Sequence, residues 1–175
     1  MAQREDLRDL QARLADRLSQ ARTQTAVGAS WLAVKISDKN FLLPLSQSGE
    51  VVGWSGVEPV PYTKPWMLGV TSIRGILLTV VDLARMLGLP IARSEQVFAE
   101  ASVVALNPMM GVNAALFVEQ LGGLRGVADF QHSSDAGDAA PEFFGALYTT
   151  ASGEQWQELN LQLLANAPDF LDITA

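Results

Sequence analysis

The apolar positions change period once along this chain. Over residues 2–22, Leu7, Leu10, Leu14, Leu18 and Ala21 recur at helical spacing on one face. The other face is Arg and Asp, with Glu5 and Asp6 near the start and Arg17 and Arg22 near the end, as the helix dipole prefers. The pattern predicts an amphipathic helix within residues 1–24. It fits a helix packed on its own domain, a docking helix for a partner or a second copy, or a frayed tail. From about Ser30 the period is that of strands. Trp31 to Ile36 alternates around Leu32, Val34 and Ile36, Ser37 to Asn40 is a turn, and Phe41 to Leu45 is the return strand. Glu50 to Trp54 is a short strand. Val57 to Pro65 holds three prolines and reads as a stiffened extended loop.

The block Gly69 to Leu83 reads as a turn, a lone arginine, a buried strand over Ile76 to Val81, and a helix start. Gly69 and Gly75 bracket Ile73-Arg74. Asp82 is placed to cap a helix over Leu83 to Leu87 that stops at Gly88. Ser94 to Glu100 reads as a connector. Ala101 to Leu106 and Asn113 to Val118 are predicted strands joined by a turn. Gly126 to Phe130 is predicted to continue the sheet, and Gln131 to Pro141 to be a mobile loop. Phe143 to Thr149 and Glu154 to Glu158 complete the strands, and Leu159 to Asn166 is a helix. Many short strands and few helices predict a mainly β chain, a barrel or sandwich. A repeated βα pattern is missing, which argues against a doubly wound fold.

Composition narrows the chemistry. The chain of 175 residues has no cysteine and one histidine, His132. Disulfides, Cys-ligated metals and multi-His sites are excluded. No apolar run reaches membrane-spanning length, and the N-terminus lacks an apolar signal core, so a soluble cytoplasmic protein is expected. Residues 1–93 carry eleven basic and eight acidic side chains; residues 94–175 carry one basic, Arg125, and eleven acidic. The acidic half argues against nucleic acid and anionic membrane as partners. It reads as a solvated surface, as a means of discouraging self-association, or as a face for a basic partner.

Few residues offer catalysis. His132 beside Ser133, Ser134 and Asp135 suggests a triad, but neighbours in one loop rarely preorganise. Asp138 and Glu142 read as solvated loop carboxylates. Trp31, Trp54, Trp66 and Trp156 read as core or interface residues rather than a ligand pocket. A small enzyme or ligand-binding barrel would need a pocket joining His132 to a carboxylate. Glu50 and Arg74 stand out, as charges in apolar strand contexts. The Arg74 guanidinium must reach water at a strand end or find a carboxylate. A local ion pair and a partner contact both satisfy that requirement.

The order Gly69-Val70-x-x-Ile73-Arg74-Gly75, then an apolar strand, then Val81-Asp82-Leu83, resembles the CheW adaptor family of bacterial chemosensory arrays. Phe41, followed nine positions later by Glu50-Val51, is similar to a second family pattern. The likeness covers roughly residues 29–166. It implies a CheW-like fold of two small SH3-like β-barrels around a shared core, with a domain over 26–166, an added N-terminal helix and a tail over 167–175. It implies no catalysis and no cofactor or metal. It implies an adaptor between the cytoplasmic tips of methyl-accepting chemoreceptors and the regulatory domain of a CheA-type histidine kinase, recruited to membrane-associated arrays. By the same likeness Glu50, Gly69 and Arg74 belong to the receptor-coupling region. Leu42-Leu43-Pro44 and Ser48 depart from the family pattern, and Gly49 is unusual in a strand. The stretch from Trp156 to Leu164, the segment Phe170 to Ile173 and the N-terminal helix look like the PilI branch, which serves type IV pili and twitching motility. A flagellar chemotaxis adaptor is the alternative within the family.

Overall fold

The computed structural model describes residues 30–175. The helix predicted over residues 2–22 lies outside the described residues. Eleven strands form two sheets. In chain order they are β1 (Trp31–Ile36), β2 (Lys39–Pro44), β3 (Ser48–Gly53), β4 (Met67–Ile73), β5 (Ile76–Val81), β6 (Ser102–Leu106), β7 (Ala114–Val118), β8 (Gln120–Arg125), β9 (His132–Ser134), β10 (Phe144–Thr149) and β11 (Gln155–Leu159). The described residues also hold four short helices: α1 (Leu83–Met86) and α2 (Glu95–Glu100) between β5 and β6, and α3 (Leu161–Asn166) and α4 (Pro168–Leu171) after β11. The six-stranded sheet runs β8-β1-β2-β11-β10-β9, and the five-stranded sheet runs β3-β6-β7-β5-β4. Two pairings are parallel, β2 with β11 and β5 with β7; the rest are antiparallel.

The core has three parts, and strand alternation assigns them. Leu32, Val34 and Ile36 of β1 point into a shared core with Val104 and Leu106 of β6 and Leu116 and Val118 of β7. The intervening Trp31 and Ala33 face a small cluster with Leu42 and Trp156 on the other side of their sheet. Val103, Ala105, Ala115 and Phe117 likewise face a second private cluster with Ile73, Leu78 and Val80. Both faces of the central strands are therefore buried. This is why Val103 to Leu106 and Ala114–Val118 are continuous apolar runs rather than alternating ones. The two private clusters and the shared one match the expected mainly β architecture.

Several local expectations are corrected. Gly69 to Ser72 is strand, part of β4, and the turn is Arg74-Gly75. The strand predicted buried over Ile76 to Val81 is buried or partly buried from Leu78 onward and exposed at its first two residues. Ile76 and Leu77 sit beside the turn and are 50% and 62% exposed. The Ser94–Glu100 connector holds α2, whose Ser94 Oγ accepts from Val97 N–H at 3.4 Å. None of its residues is buried, so it leaves no apolar stripe to read. Gly126 to Phe130 is a 3₁₀ turn, not strand, because the Asp129 carboxylate accepts the Gly126 N–H at 2.7 Å and closes the chain on itself. Part of the loop predicted over Gln131 to Pro141 is β9, an exposed polar edge strand paired to β10. Beyond Ala167, Phe170 is buried and stacks on Trp66 at 6.2 Å, and Thr174 bridges Thr63.

Candidate functional site

Arg74 and Gly75 form the two-residue turn of the β4–β5 hairpin, between the paired Ile73 and Ile76. Their φ angles are 50° and 79°. Two positive φ values give the turn whose twist matches the flanking strands. Glycine takes that conformation freely, whereas arginine does so only with strain. The turn projects Arg74 into solvent, with its side chain 81% exposed.

Glu50 reaches it from β3. The β3–β6 register slips between Ser48 and Val51, so β3 carries one extra residue. Gly49 lies in that bulge. A Cβ there would stand 3.0 Å from the Leu106 carbonyl oxygen, which explains the glycine in mid-strand. The bulge re-aims Glu50, and its Oε1 lies 3.0 Å from Arg74 Nε as an ion pair. β3 and β4 are opposite ends of the five-stranded sheet. The pair thus joins two rims of a sheet that curls on itself. Below it lies an apolar cleft lined by Ile73, Ile76, Leu78, Ala105, Pro108 and Val112.

Gly69 acts elsewhere on the same rim. Glu58 and Val70 exchange backbone hydrogen bonds of 2.9 Å in both directions, so the chain after β3 pairs with β4 and closes the sheet. At Gly69, φ is 149°, and a Cβ would fall 2.4 Å from the Glu58 carbonyl oxygen. Only glycine permits that approach. The residue is buried. The structure therefore brings Glu50 and Arg74 into contact and gives Gly69 the task of holding the closed sheet beneath them.

A second charge cluster escaped the sequence reading. Asp82 does cap α1, accepting from Arg85 N–H at 3.4 Å. It is also fully buried and holds the Arg93 guanidinium through two bonds of 2.5 and 2.9 Å. Arg93 Nε donates to Glu119 at 2.7 Å, and the guanidinium lies 4.6 Å from the Phe117 ring centre. Burial alone would lower the Arg93 pKa. The hydrogen bonds and charges of Asp82 and Glu119 outweigh it and raise the value. Arg85 adds a contact to Asp82 at 3.2 Å from the exposed side.

Other candidates stay apart. His132, Ser133 and Ser134 occupy successive positions of exposed β9, so neighbouring side chains point to opposite faces. The four tryptophans do not meet in one pocket. Trp31 and Trp156 share one private cluster, Trp54 packs on Phe117 at 4.9 Å, and Trp66 stacks on Phe170. Among the described residues no group of three His, Cys, Asp or Glu is placed to hold a metal ion. No helix among them is long and apolar enough to cross a membrane.

The family described as CheW-like domain matches residues 30–169. The chain belongs to the CheW-like domain family, whose members are non-enzymatic scaffold proteins. A probable chemotaxis protein CheW of Rhizobium etli is 34% identical over 58 residues, 33% of this chain and 37% of that protein. The chemotaxis protein CheW of Rhizobium meliloti is 31% identical over 72 residues, 41% of this chain and 46% of that protein. The chemotaxis protein CheW of Bacillus subtilis is 27% identical over 63 residues, 36% of this chain and 40% of that protein. The matches span less than half the length of these curated relatives. The crystal structure of the scaffolding protein TtCheW from Thermoanaerobacter tengcongensis superposes with a TM-score of 0.66 at 14% identity, over 83% of this CheW-like chain and 97% of the other. That likeness establishes the fold.

Proposed function

We propose that this CheW-like protein is an adaptor that couples the cytoplasmic tips of methyl-accepting chemoreceptors to the regulatory domain of a CheA-type histidine kinase. In this reading it is cytoplasmic and recruited to membrane-associated receptor arrays. Glu50 and Arg74 contact the receptor helices, and Gly69 shapes the rim that presents them. The observation that carries the reading is the exposed Glu50–Arg74 pair. An ion pair so exposed contributes about 0–1 kcal/mol to stability. Its arginine occupies a backbone conformation that costs on the order of 1 kcal/mol. Stability alone does not account for it. A charge pair beside exposed Ile76 and Leu77 suits a surface that recognises an amphipathic helical partner.

Within the family, we assign the chain to the system that controls type IV pili and twitching motility. The support is the likeness of Trp156 to Leu164, Phe170 to Ile173 and the N-terminal segment to the PilI branch. The names of the relatives favour a second reading, an adaptor of a flagellar chemotaxis system, since all three are chemotaxis proteins.

Calorimetric titration against the purified regulatory domains of the pilus and flagellar CheA-type kinases of the same organism tests both levels. Binding to the pilus kinase alone supports the full assignment. Binding to the flagellar kinase alone keeps the adaptor and discards the branch. No binding to either, from a folded sample, overturns the adaptor reading. For the site, Arg74→Glu should remove receptor coupling and leave the fold intact. Wild-type coupling by a folded variant would sink the assignment.

A further inference from the structure

Among the described residues the six-stranded sheet leaves an apolar ledge uncovered at its β8 edge. Normal pairing would place side chains three positions apart on opposite faces. In β8 it does not, because the register slips against β1: Leu32 pairs with Leu124 and Val34 with Leu121. The extra residue falls at Gly122-Gly123, and Gly123 has φ of 80°. This bulge turns Leu121 and Leu124 onto one face. It is the face of Leu32 and Val34, which is the side of the shared core. Gly122 lies on the other side, where its Cβ position would stand 3.2 Å from the Ala33 Cβ. The core-facing surface thus runs on past β1, and among the described residues nothing closes over it. Leu121 is 40% exposed, Leu124 44% and the following Val127 67%. Single exposed leucines are common on protein surfaces. Two leucines rotated by a bulge to the core side of an edge strand are a built feature.

The chain itself arrives at this spot. Ser30 N–H donates to the Arg125 carbonyl at 2.8 Å, which places Ser30 beside the end of β8. Between Ala21, the last residue of the helical leucine stripe, and Ser30 lie eight residues. They reach up to about 30 Å when extended, ample to lay the stripe along β8. The spacings agree as well. Leu14 and Leu18 are separated by about 6 Å along a helix, close to the roughly 7 Å between alternate positions on the strand opposite.

We propose that residues 2–22 cover the β8 ledge of their own domain, with Leu14 and Leu18 seated on Leu121 and Leu124. The segment replaces the sheet layer that the shared core lacks there, and it screens the β8 edge from pairing with another chain. A second copy using the same ledge, or a heterologous partner, is the competing occupant.

The absence of cysteine makes the test direct. In the full chain, Leu14→Cys or Leu18→Cys is combined with Leu121→Cys or Leu124→Cys, four pairs in all, and each is oxidised in dilute solution. Cysteines seated together close a disulfide at a Cβ separation of about 3.5–4.5 Å. The expected result is an intramolecular disulfide in at least one pair, seen as a monomer with no free thiol. A disulfide-linked dimer at the same positions overturns the proposal in favour of a second copy. Free thiols in all four pairs overturn it outright. Should the cysteine variants fail to fold, Leu14→Asp with Leu18→Asp in the full chain serves instead. Hydrogen exchange over β8 should then quicken by about tenfold or more relative to wild type. Unchanged exchange overturns the proposal.

Discussion

Two arginine–carboxylate clusters in this protein use the same chemistry to opposite ends. At the rim of the five-stranded sheet, Arg74 is 81% exposed and meets Glu50 through one contact of 3.0 Å. Near the start of α1, the Arg93 side chain is 5% exposed and is held by Asp82 and Glu119 through three. Water screens the first pair and competes for each of its donors. Little water reaches the second, so each of its charges depends on the others. An exposed pair is free to exchange its partner for another protein's side chain at small cost. A buried one is fixed, because removing either member leaves a desolvated charge behind. Burial, not residue type, decides which cluster is available for recognition.

The sharpest way to break this contrast is at Arg93. Arg93→Ala should destabilise the fold by about 3–5 kcal/mol, the usual loss when a buried pair is broken. Urea unfolding followed by tryptophan fluorescence measures it. A loss no larger than that of Arg74→Ala would erase the distinction. Gly69→Ala comes next, at about 1–3 kcal/mol, through backbone strain and the contact with the Glu58 carbonyl. Thermal unfolding reads this, and receptor coupling should fall with it because the rim is deformed. Arg74→Asn should leave stability unchanged or raise it by up to about 1 kcal/mol, since asparagine suits the turn better than arginine. The same variant should weaken receptor binding in a pull-down with receptor tips. The smallest effect concerns salt. Raising ionic strength from 0.01 to about 1 M should barely shift the unfolding midpoint through the Arg93 cluster, while weakening any association that uses Arg74.

The two clusters also differ in how far the sequence revealed them. Glu50 and Arg74 stood out because each interrupts an apolar run, a signal carried by immediate neighbours. Asp82 was legible as a helix cap for the same reason, since capping is a relation over three residues. Its second role was not, because Arg93 lies 11 residues from Asp82 and 26 from Glu119. Nothing local distinguishes a buried arginine from a solvated one. The mainly β architecture was readable from the short apolar runs. β4 was obscured by Gly69, whose need for space comes from Glu58 across the sheet, and β9 by its wholly polar, exposed side chains. The bulges at Gly49 and Gly123 showed only as glycines. The partner strand gives them meaning, and that pairing is a tertiary fact.

One feature of the topology bears on how the chain acquires its shape during synthesis. The five-stranded sheet is drawn from one continuous stretch, β3 to β7, whereas the six-stranded sheet takes β1 and β2 from before that stretch and β8 to β11 from after it. β2 finds its parallel neighbour β11 more than a hundred residues later. A growing chain can therefore assemble the middle sheet while its first hairpin waits for its strand neighbours β8 and β11. Contacts so distant along the chain close slowly, and a waiting hairpin is open to wrong pairings. Among the described residues the order of folding thus runs from the middle of the chain outward, and β1 and β2, made before the five-stranded sheet, are among the last strands to gain all their neighbours.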